Sequence, residues 1–176
     1  MRKTFLFFAV AGTLAPCTNE AKEEPKASTP AAASVNLPSP VSYSSSFEMG
    51  NPEYSAMILQ GSWKDWEENK LDKSKWLADT VVAFHSDNAM TIGADSLIAR
   101  WSRMRGTYTS VIDTVHAVIS TYSNDKKENW VLVWAKEINT KADGTKDTTE
   151  LMEAWRINKD GKADFLLQYD RAKRKQ

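Results

Sequence analysis

The stretch YTSVIDTVHAVISTY, residues 108–122, decides the fold class because it is long, free of Gly and Pro, and rich in Val, Ile and Thr. Residues of these types favour β-strands, so the stretch predicts one long strand. Three further segments of this kind follow at 130–138, 148–158 and 163–170, and short polar turns separate them. Because consecutive strands joined by short turns pair antiparallel, the C-terminal part of the chain is predicted to form an antiparallel meander.

Helical sequences precede these strands. The segment 51–53, Asn-Pro-Glu, is typical of a helix start, because Asn caps the first turn and Pro suits the first helical position. Apolar residues at three- and four-residue spacing then predict an amphipathic helix to about Asn69. The other predicted elements are a short helix from Asp72 that carries Trp76 and Leu77, strands at 80–85 and 89–92, and a helix at 93–104. This order predicts an α+β fold: a cone-shaped barrel with N-terminal helices packed on a curved antiparallel or mixed sheet.

The first residues, 1–17, read MRKTFLFFAVAGTLAPC and predict a signal peptide. A basic start precedes an apolar run that is too short to span a membrane. Cys17 is the only cysteine, and the segment 14–17, LAPC, resembles a bacterial lipobox, in which the cysteine is lipidated. We therefore expect a membrane-anchored lipoprotein of the cell envelope, with ordinary secretion, to the periplasm or beyond, as the alternative.

The segment 18–50 is rich in Pro, Ser, Ala and Glu and has few large apolar side chains. Such a sequence cannot bury enough apolar surface to offset the entropy of ordering, so it predicts a disordered tether. A folded domain at 51–172 and a basic tail at 173–176 complete the predicted organisation.

The composition argues against several functions. Lys and Arg number 23, as do Asp and Glu, and the formal net charge of zero does not suit a nucleic-acid-binding protein. One Cys and two His are too few for a Cys/His zinc site, and no Gly-rich phosphate loop occurs. We expect no metal, no cofactor and no nucleic-acid partner.

Glu153 is a candidate catalytic residue. On the predicted strand 148–158 it shares a face with Leu151, Trp155 and Ile157, because side chains alternate between the two faces. Burial there would raise the pKa of its carboxyl and keep a proton available near neutral pH. Pairing with a Lys or Arg, or a position at a wet cone mouth, is the alternative.

Four segments of the chain, in this order and spacing, resemble one known superfamily. They are the helix with Trp63 followed by Asn69-Lys70-Leu71-Asp72, the segment 76–80 (WLADT), the segment 93–98 (GADSLI) and the segment 154–162 (AWRINKDGK). The chain resembles the nuclear transport factor 2-like (NTF2-like) superfamily, which includes SnoaL-like polyketide cyclases and ketosteroid isomerases. The resemblance covers nearly all of 51–172. It implies a cone with a pocket between helices and sheet, often in a homodimer, but not one function.

The resemblance also implies roles for particular residues. A gapless match over 152–162 puts Glu153 where ketosteroid isomerases carry an oxyanion-stabilising Asp. Counting from Asp79 puts His85 where they carry the catalytic Asp base, a role that His can take; an exposed His at a strand end is the alternative. The same count puts Gly61 where they carry an oxyanion-hole Tyr, and Gly has no side-chain donor.

The pocket lining is predicted in part. Most of the seven Trp are expected to fill the core, whereas Trp63 and Trp155, with Leu151, are expected to bind a ligand. His116 is either a pocket residue or a histidine on the outer or dimer-facing surface, and Asp113 could equally mark an inward polar group. The strand 130–138 carries large apolar groups on both faces, so the sequence does not assign its lining.

Three functions are compatible with these patterns. The first is an exported module that binds a small apolar or aromatic molecule in its cone. The second is an acid/base enzyme of the isomerase, dehydratase or cyclase type, with His85 as base and Glu153 as acid or oxyanion donor. The third is a non-catalytic dimerisation module with a filled cone. The first is favoured because the acid, base and oxyanion set is incomplete.

Overall fold

The computed structural model describes residues 37–73 and 76–171. Its elements are β1 (Phe47–Met49), α1 (Pro52–Ile58), a π-helical turn (Leu59–Lys64), α2 (Asp65–Glu67), β2 (Leu77–Phe84), β3 (Met90–Ile92), α3 (Ala94–Arg105), β4 (Tyr108–Ser123), β5 (Glu128–Lys141), β6 (Lys146–Ile157) and β7 (Ala163–Arg171). The predicted α+β class, with helices first and a strand meander last, is confirmed. The signal peptide, the lipobox and the basic tail lie outside the described residues.

The seven strands form one mixed sheet in the order β1-β4-β5-β6-β7-β2-β3. The strands β4 to β7 are the predicted antiparallel meander, and β2 joins it by pairing parallel with β7. The sheet stays open, with β1 at one edge and β3 at the other, so the cone is not a closed barrel. No helix in the described ranges is long and apolar enough to cross a membrane.

The N-terminal edge of the sheet begins before residue 51, where the sequence placed the start of the domain. Strand β1 pairs antiparallel with Thr121–Ser123 at the end of β4. Just before β1, the Ser44 hydroxyl lies 2.9 Å from the Ser123 hydroxyl and also hydrogen-bonds Asp125. Hydrogen bonds donated to Asp125 by the Ser44 and Ser123 hydroxyls hold its pKa at about 2, below the ordinary value, because they favour the ionised carboxylate.

Three buried indoles join the helical layer to the sheet. Trp76 lies edge-on to Trp155, with ring centroids 5.2 Å apart, and stacks on Trp101 at 6.3 Å. Trp101 and Trp155 are 6.0 Å apart. All three are almost fully buried. The predicted short helix through Trp76 and Leu77 is wrong, because Leu77 begins β2 and the Trp76 carbonyl accepts a hydrogen bond from Ala163 at the start of β7.

The first helical segment changes geometry where it meets Trp76. Between α1 and α2 the chain makes a π-helical turn, whose wider winding buries Gly61, Ser62 and Trp63 together. A Cβ atom on Gly61 would lie 2.4 Å from the Trp76 ring, so only glycine fits there. The position that the resemblance assigned to an oxyanion-hole Tyr is therefore filled by Trp76.

We predict that Gly61→Ala destabilises the protein, although Ala is the better helix former by about 1 kcal/mol. The added methyl must displace a buried indole or the helix, and such overpacking costs about 1–3 kcal/mol or more. Denaturant unfolding measures the difference. The same substitution at Gly106, where the added Cβ stays 3.3 Å from the nearest atom, should cost less. Equal stability of Gly61→Ala and wild type would contradict the role of this contact.

Candidate functional site

A partly open cavity of about 180 Å³ lies between the helical layer and the inner face of the sheet. Its lining combines indole and phenol rings, carboxylates and uncharged polar groups. The lining residues are Ser62, Trp63, Trp66, Ser86, Trp101, Met104, Tyr108, Glu137, Asn139, Asp147, Thr149, Leu151, Glu153, Gln168 and Asp170. The cavity thus contains both apolar surface and acid groups.

Glu153, from the middle of β6, is only 3% exposed. Loss of hydration, with a smaller contribution from the nearby Glu137 carboxylate, raises the pKa of its carboxyl to about 7. Hydrogen bonds donated by Trp155 Nε1 at 2.9 Å and Gln168 Nε2 at 3.0 Å act against this shift, because they favour the ionised form. A carboxyl in this state can exchange a proton near neutral pH.

Strand β5 adds Glu137 and Asn139 to the cavity. Val131, Val133 and Ala135 are buried, so the odd-numbered residues of β5 face inward and Glu137 and Asn139 continue that face. Burial raises the pKa of Glu137, whereas hydrogen bonds from Asn139 Nδ2 and from Trp66 Nε1, 2.7 Å away, lower it. Sequence alone did not identify these two residues, because the predicted strand has large apolar groups on both faces.

Asp113 lies opposite Glu137 on the neighbouring strand β4. Both of its carboxylate oxygens are buried, and neither has a hydrogen-bond partner among the described residues. Desolvation, followed by repulsion from Glu137, raises its pKa from an ordinary value of 3.8 to about 8. Asp113 is therefore the inward polar group that the sequence left open, and it holds a proton at neutral pH.

A buried arginine places a positive charge close enough to act on two of these acids. Arg105, the last residue of α3, donates to the backbone carbonyl oxygens of Trp66 at 2.8 Å, Glu67 at 2.9 Å and Tyr108 at 3.0 Å. Its charge lowers the pKa of both Asp113 and Glu137, but less than burial raises them. The guanidinium thus satisfies carbonyl groups at the C-terminal end of α2 and offsets part of the acidic charge. It does not line the cavity itself.

His85 lies behind the cavity. It is buried, and its Nε2 lies 3.0 Å from the Thr91 hydroxyl. Burial and the Arg100 charge lower its pKa, while a hydrogen bond with Gln168 raises it in part. Because Gln168 also donates to Glu153, an amide side chain connects the two predicted catalytic residues. His85 is absent from the cavity lining, whereas its neighbour Ser86 belongs to it.

The four predicted ligand-binding residues lie in different places. Trp63 and Leu151 line the cavity, whereas Trp155 is a core residue that reaches the site only through its N–H group on Glu153. The side chain of His116 is 48% exposed and lies 3.5 Å from Glu150 on the outer face of the sheet. His116 is skipped in the register between β4 and β5, and this bulge reverses which residues of β4 face inward.

Several solved structures have a fold similar to that of this chain. An NTF2-like protein of unknown function from Exiguobacterium sp. 255-15 superposes with a TM-score of 0.54 at 13% identity, over 66% of this chain and 99% of that one. A candidate SnoaL-like polyketide cyclase from Jannaschia sp. CCS1 gives 0.52 at 11% identity, over 70% and 91%. A protein with a ketosteroid isomerase-like fold from Catenulispora acidiphila, in complex with trimethylamine, gives 0.50 at 13%, over 66% and 85%.

These likenesses confirm the predicted fold resemblance, and at such identities they establish the fold alone. No family model and no curated protein matches the sequence.

We predict that Asp113→Asn makes stability less dependent on pH. Because the pKa of Asp113 is raised on folding, the folded state binds the extra proton between its unfolded and folded pKa values, and the free energy of unfolding falls as pH rises through that window. From about pH 5.5 to about pH 8, the variant should gain about 2–3 kcal/mol relative to wild type in denaturant unfolding. Asp160→Asn, in an exposed turn, is the matched control. A parallel pH dependence of Asp113→Asn and wild type would refute a protonated Asp113.

Proposed function

We propose that the protein binds a small molecule in this cavity. The observation that carries the proposal is a partly open cavity of about 180 Å³ with a fully buried carboxyl group, Glu153, in its wall. An engineered protein cavity of about 150 Å³ binds benzene, so a single ring with a short substituent fits this volume. The trimethylamine complex of a protein with the same fold supports a small-molecule ligand.

Binding in the cavity can be tested by introducing a large side chain on β6 that fills it. Thr149 lines the cavity, and Thr148 precedes it on the opposite face of β6. Ligand-observed NMR with the full chain should detect binding from a set of benzylamine, benzyl alcohol, benzoate, indole and cyclohexanone. We predict that Thr149→Trp abolishes the signals, because the indole occupies the cavity, and that Thr148→Trp keeps them. Signals that survive Thr149→Trp, or a wild type that binds none of the five, would contradict the proposal.

A second candidate function is proton transfer to or from the bound molecule. The Glu153 carboxyl favours it, because Glu153 lines the cavity and its pKa of about 7 allows it to take up or release a proton near neutral pH. The site has no donor at the position of Gly61, which favours binding over catalysis. In the same NMR samples made in D₂O, exchange of the carbon-bound hydrogens of cyclohexanone that depends on Glu153 would favour the enzyme.

We also propose that the chain is exported and anchored to a membrane through a lipid on Cys17. The support is in the sequence: a basic start, a short apolar run and a single cysteine directly after it. The tether then separates the anchor from the binding domain.

We predict that the full chain, expressed in a bacterial host, incorporates labelled palmitate and enters the membrane fraction. Cys17→Ser should lose both the label and the membrane association, because its hydroxyl cannot replace the thiol that receives the lipid. Ser34→Ala, in the predicted tether, is the control and should behave as wild type. An unlabelled wild-type chain outside the membrane fraction would exclude the anchor.

A further inference from the structure

We propose that the ligand carries a protonated amine, whose ammonium group binds between Glu137 and Asn139. The inference rests on the proposed small-molecule function and names the class of ligand. Three observations lead to it independently: the charge of the lining, an acceptor without a donor, and the aromatic walls.

The lining is acidic and contains no basic side chain of its own among the described residues. Four of its residues carry carboxyl groups: Glu137, Asp147, Glu153 and Asp170. None of the lining residues within the described ranges is a Lys, Arg or His. The nearby Arg105 directs its guanidinium nitrogens to three backbone carbonyl oxygens instead. Such a lining attracts a cation and repels a carboxylate or phosphate ligand.

The side chain of Asn139 contains a hydrogen-bond acceptor that no donor in the described part of the chain satisfies. The residue is 5% exposed, and its Nδ2 donates to Glu137 Oε1. Its carbonyl oxygen, Oδ1, is buried without a hydrogen-bond partner among the described residues. Rotating the amide would bring that oxygen against the Glu137 carboxylate, so this orientation is the favourable one. A buried acceptor without a donor is costly, and a ligand that donates there removes the cost.

An ammonium group matches these two neighbours better than a hydroxyl group does. It has three N–H donors and no acceptor, so it can bind the Asn139 carbonyl and a Glu137 oxygen at once. Its positive charge also strengthens both hydrogen bonds. A quaternary ammonium carries the charge but has no N–H, and it would leave Asn139 unsatisfied.

The walls of the cavity match the rest of such a ligand. Trp63, Trp66 and Trp101 contribute indole rings, and Tyr108 contributes a phenol. Trp66 directs its N–H to Glu137 Oε2, which fixes the ring beside the proposed ammonium position. Aromatic faces attract cations and bury an apolar body, so one lining accommodates both parts of an aryl- or alkylamine.

Calorimetric titration of the full chain at neutral pH tests the proposal with probes of one shape. Benzylamine is protonated there, benzyl alcohol is neutral, benzoate is anionic, and benzyltrimethylammonium is a cation without N–H. We expect benzylamine to bind at least about tenfold more tightly than benzyl alcohol, because hydrogen bonds to charged groups are the stronger ones. Benzyltrimethylammonium should bind more weakly than benzylamine, and benzoate should have the lowest affinity of the four.

Two variants separate charge from hydrogen bonding. Glu137→Gln keeps the shape and removes the charge, and Asn139→Leu removes the acceptor. Each variant should bind benzylamine about tenfold more weakly than wild type does, and its affinity for benzyl alcohol should change little. Glu150→Gln, the same substitution on the outer face, should leave both affinities unchanged. Thermal unfolding of each variant checks that it is folded.

The outcomes distinguish this inference from the proposed function. If benzyl alcohol binds as tightly as benzylamine, the cavity binds small molecules and the amine proposal is wrong. If benzylamine binds but neither Glu137→Gln nor Asn139→Leu weakens it, its ammonium group lies elsewhere and the proposed position is wrong. If none of the four probes binds, the amine proposal is refuted, and indole and cyclohexanone in the NMR experiment still decide the proposed function.

Discussion

The contact between the Trp76 indole and the backbone of Gly61 is the constraint on which the rest of the structure depends. Trp76 packs against Trp101 of the last helix and Trp155 of the sheet, so its position is fixed from two sides. The first helical segment must then present a residue without a side chain at Gly61 and wind more widely around it. That winding buries Trp63, which lines the cavity beside Glu153.

A second constraint is the concentration of buried acids on three neighbouring strands. Asp113, Glu137 and Glu153 come from three consecutive strands and face the same interior, where Glu137 raises the pKa of the other two and Glu153 raises that of Asp113. A protein can hold such a group only by keeping protons on it, by donating hydrogen bonds, or by placing a cation nearby. All three means are present: a proton on Asp113, the N–H groups of Trp66, Trp155 and Gln168, and the Arg105 guanidinium. The site is thus constructed at some expense of stability, as functional sites commonly are.

The sequence predicts the scaffold better than it predicts the site, for physical reasons. Alternation along β6 is regular, so the inward position of Glu153 follows directly from its neighbours. Alternation along β4 is interrupted at His116 by a bulge of one residue. The residue types give no sign of this bulge, so the sequence did not show which face of the sheet His116 lies on. On β5, Trp134 is a large apolar residue on the outer face, which obscures the inward series that ends in Glu137 and Asn139. The chain around Trp76 has helical composition, yet pairing with β7 decides its structure.

The π-helical turn at Leu59–Lys64 has a consequence for how this lining could have arisen and could change. A π turn holds one residue more than an α turn of the same span, so it is equivalent to a single insertion in an otherwise regular helix. Loss of one codon there would restore ordinary winding while α1 and α2 kept their places on the sheet. Ser62 and Trp63 are the cavity residues carried by this turn. A change of one residue in this turn, after Gly61, would therefore alter the side chains that line the cavity without altering the strands.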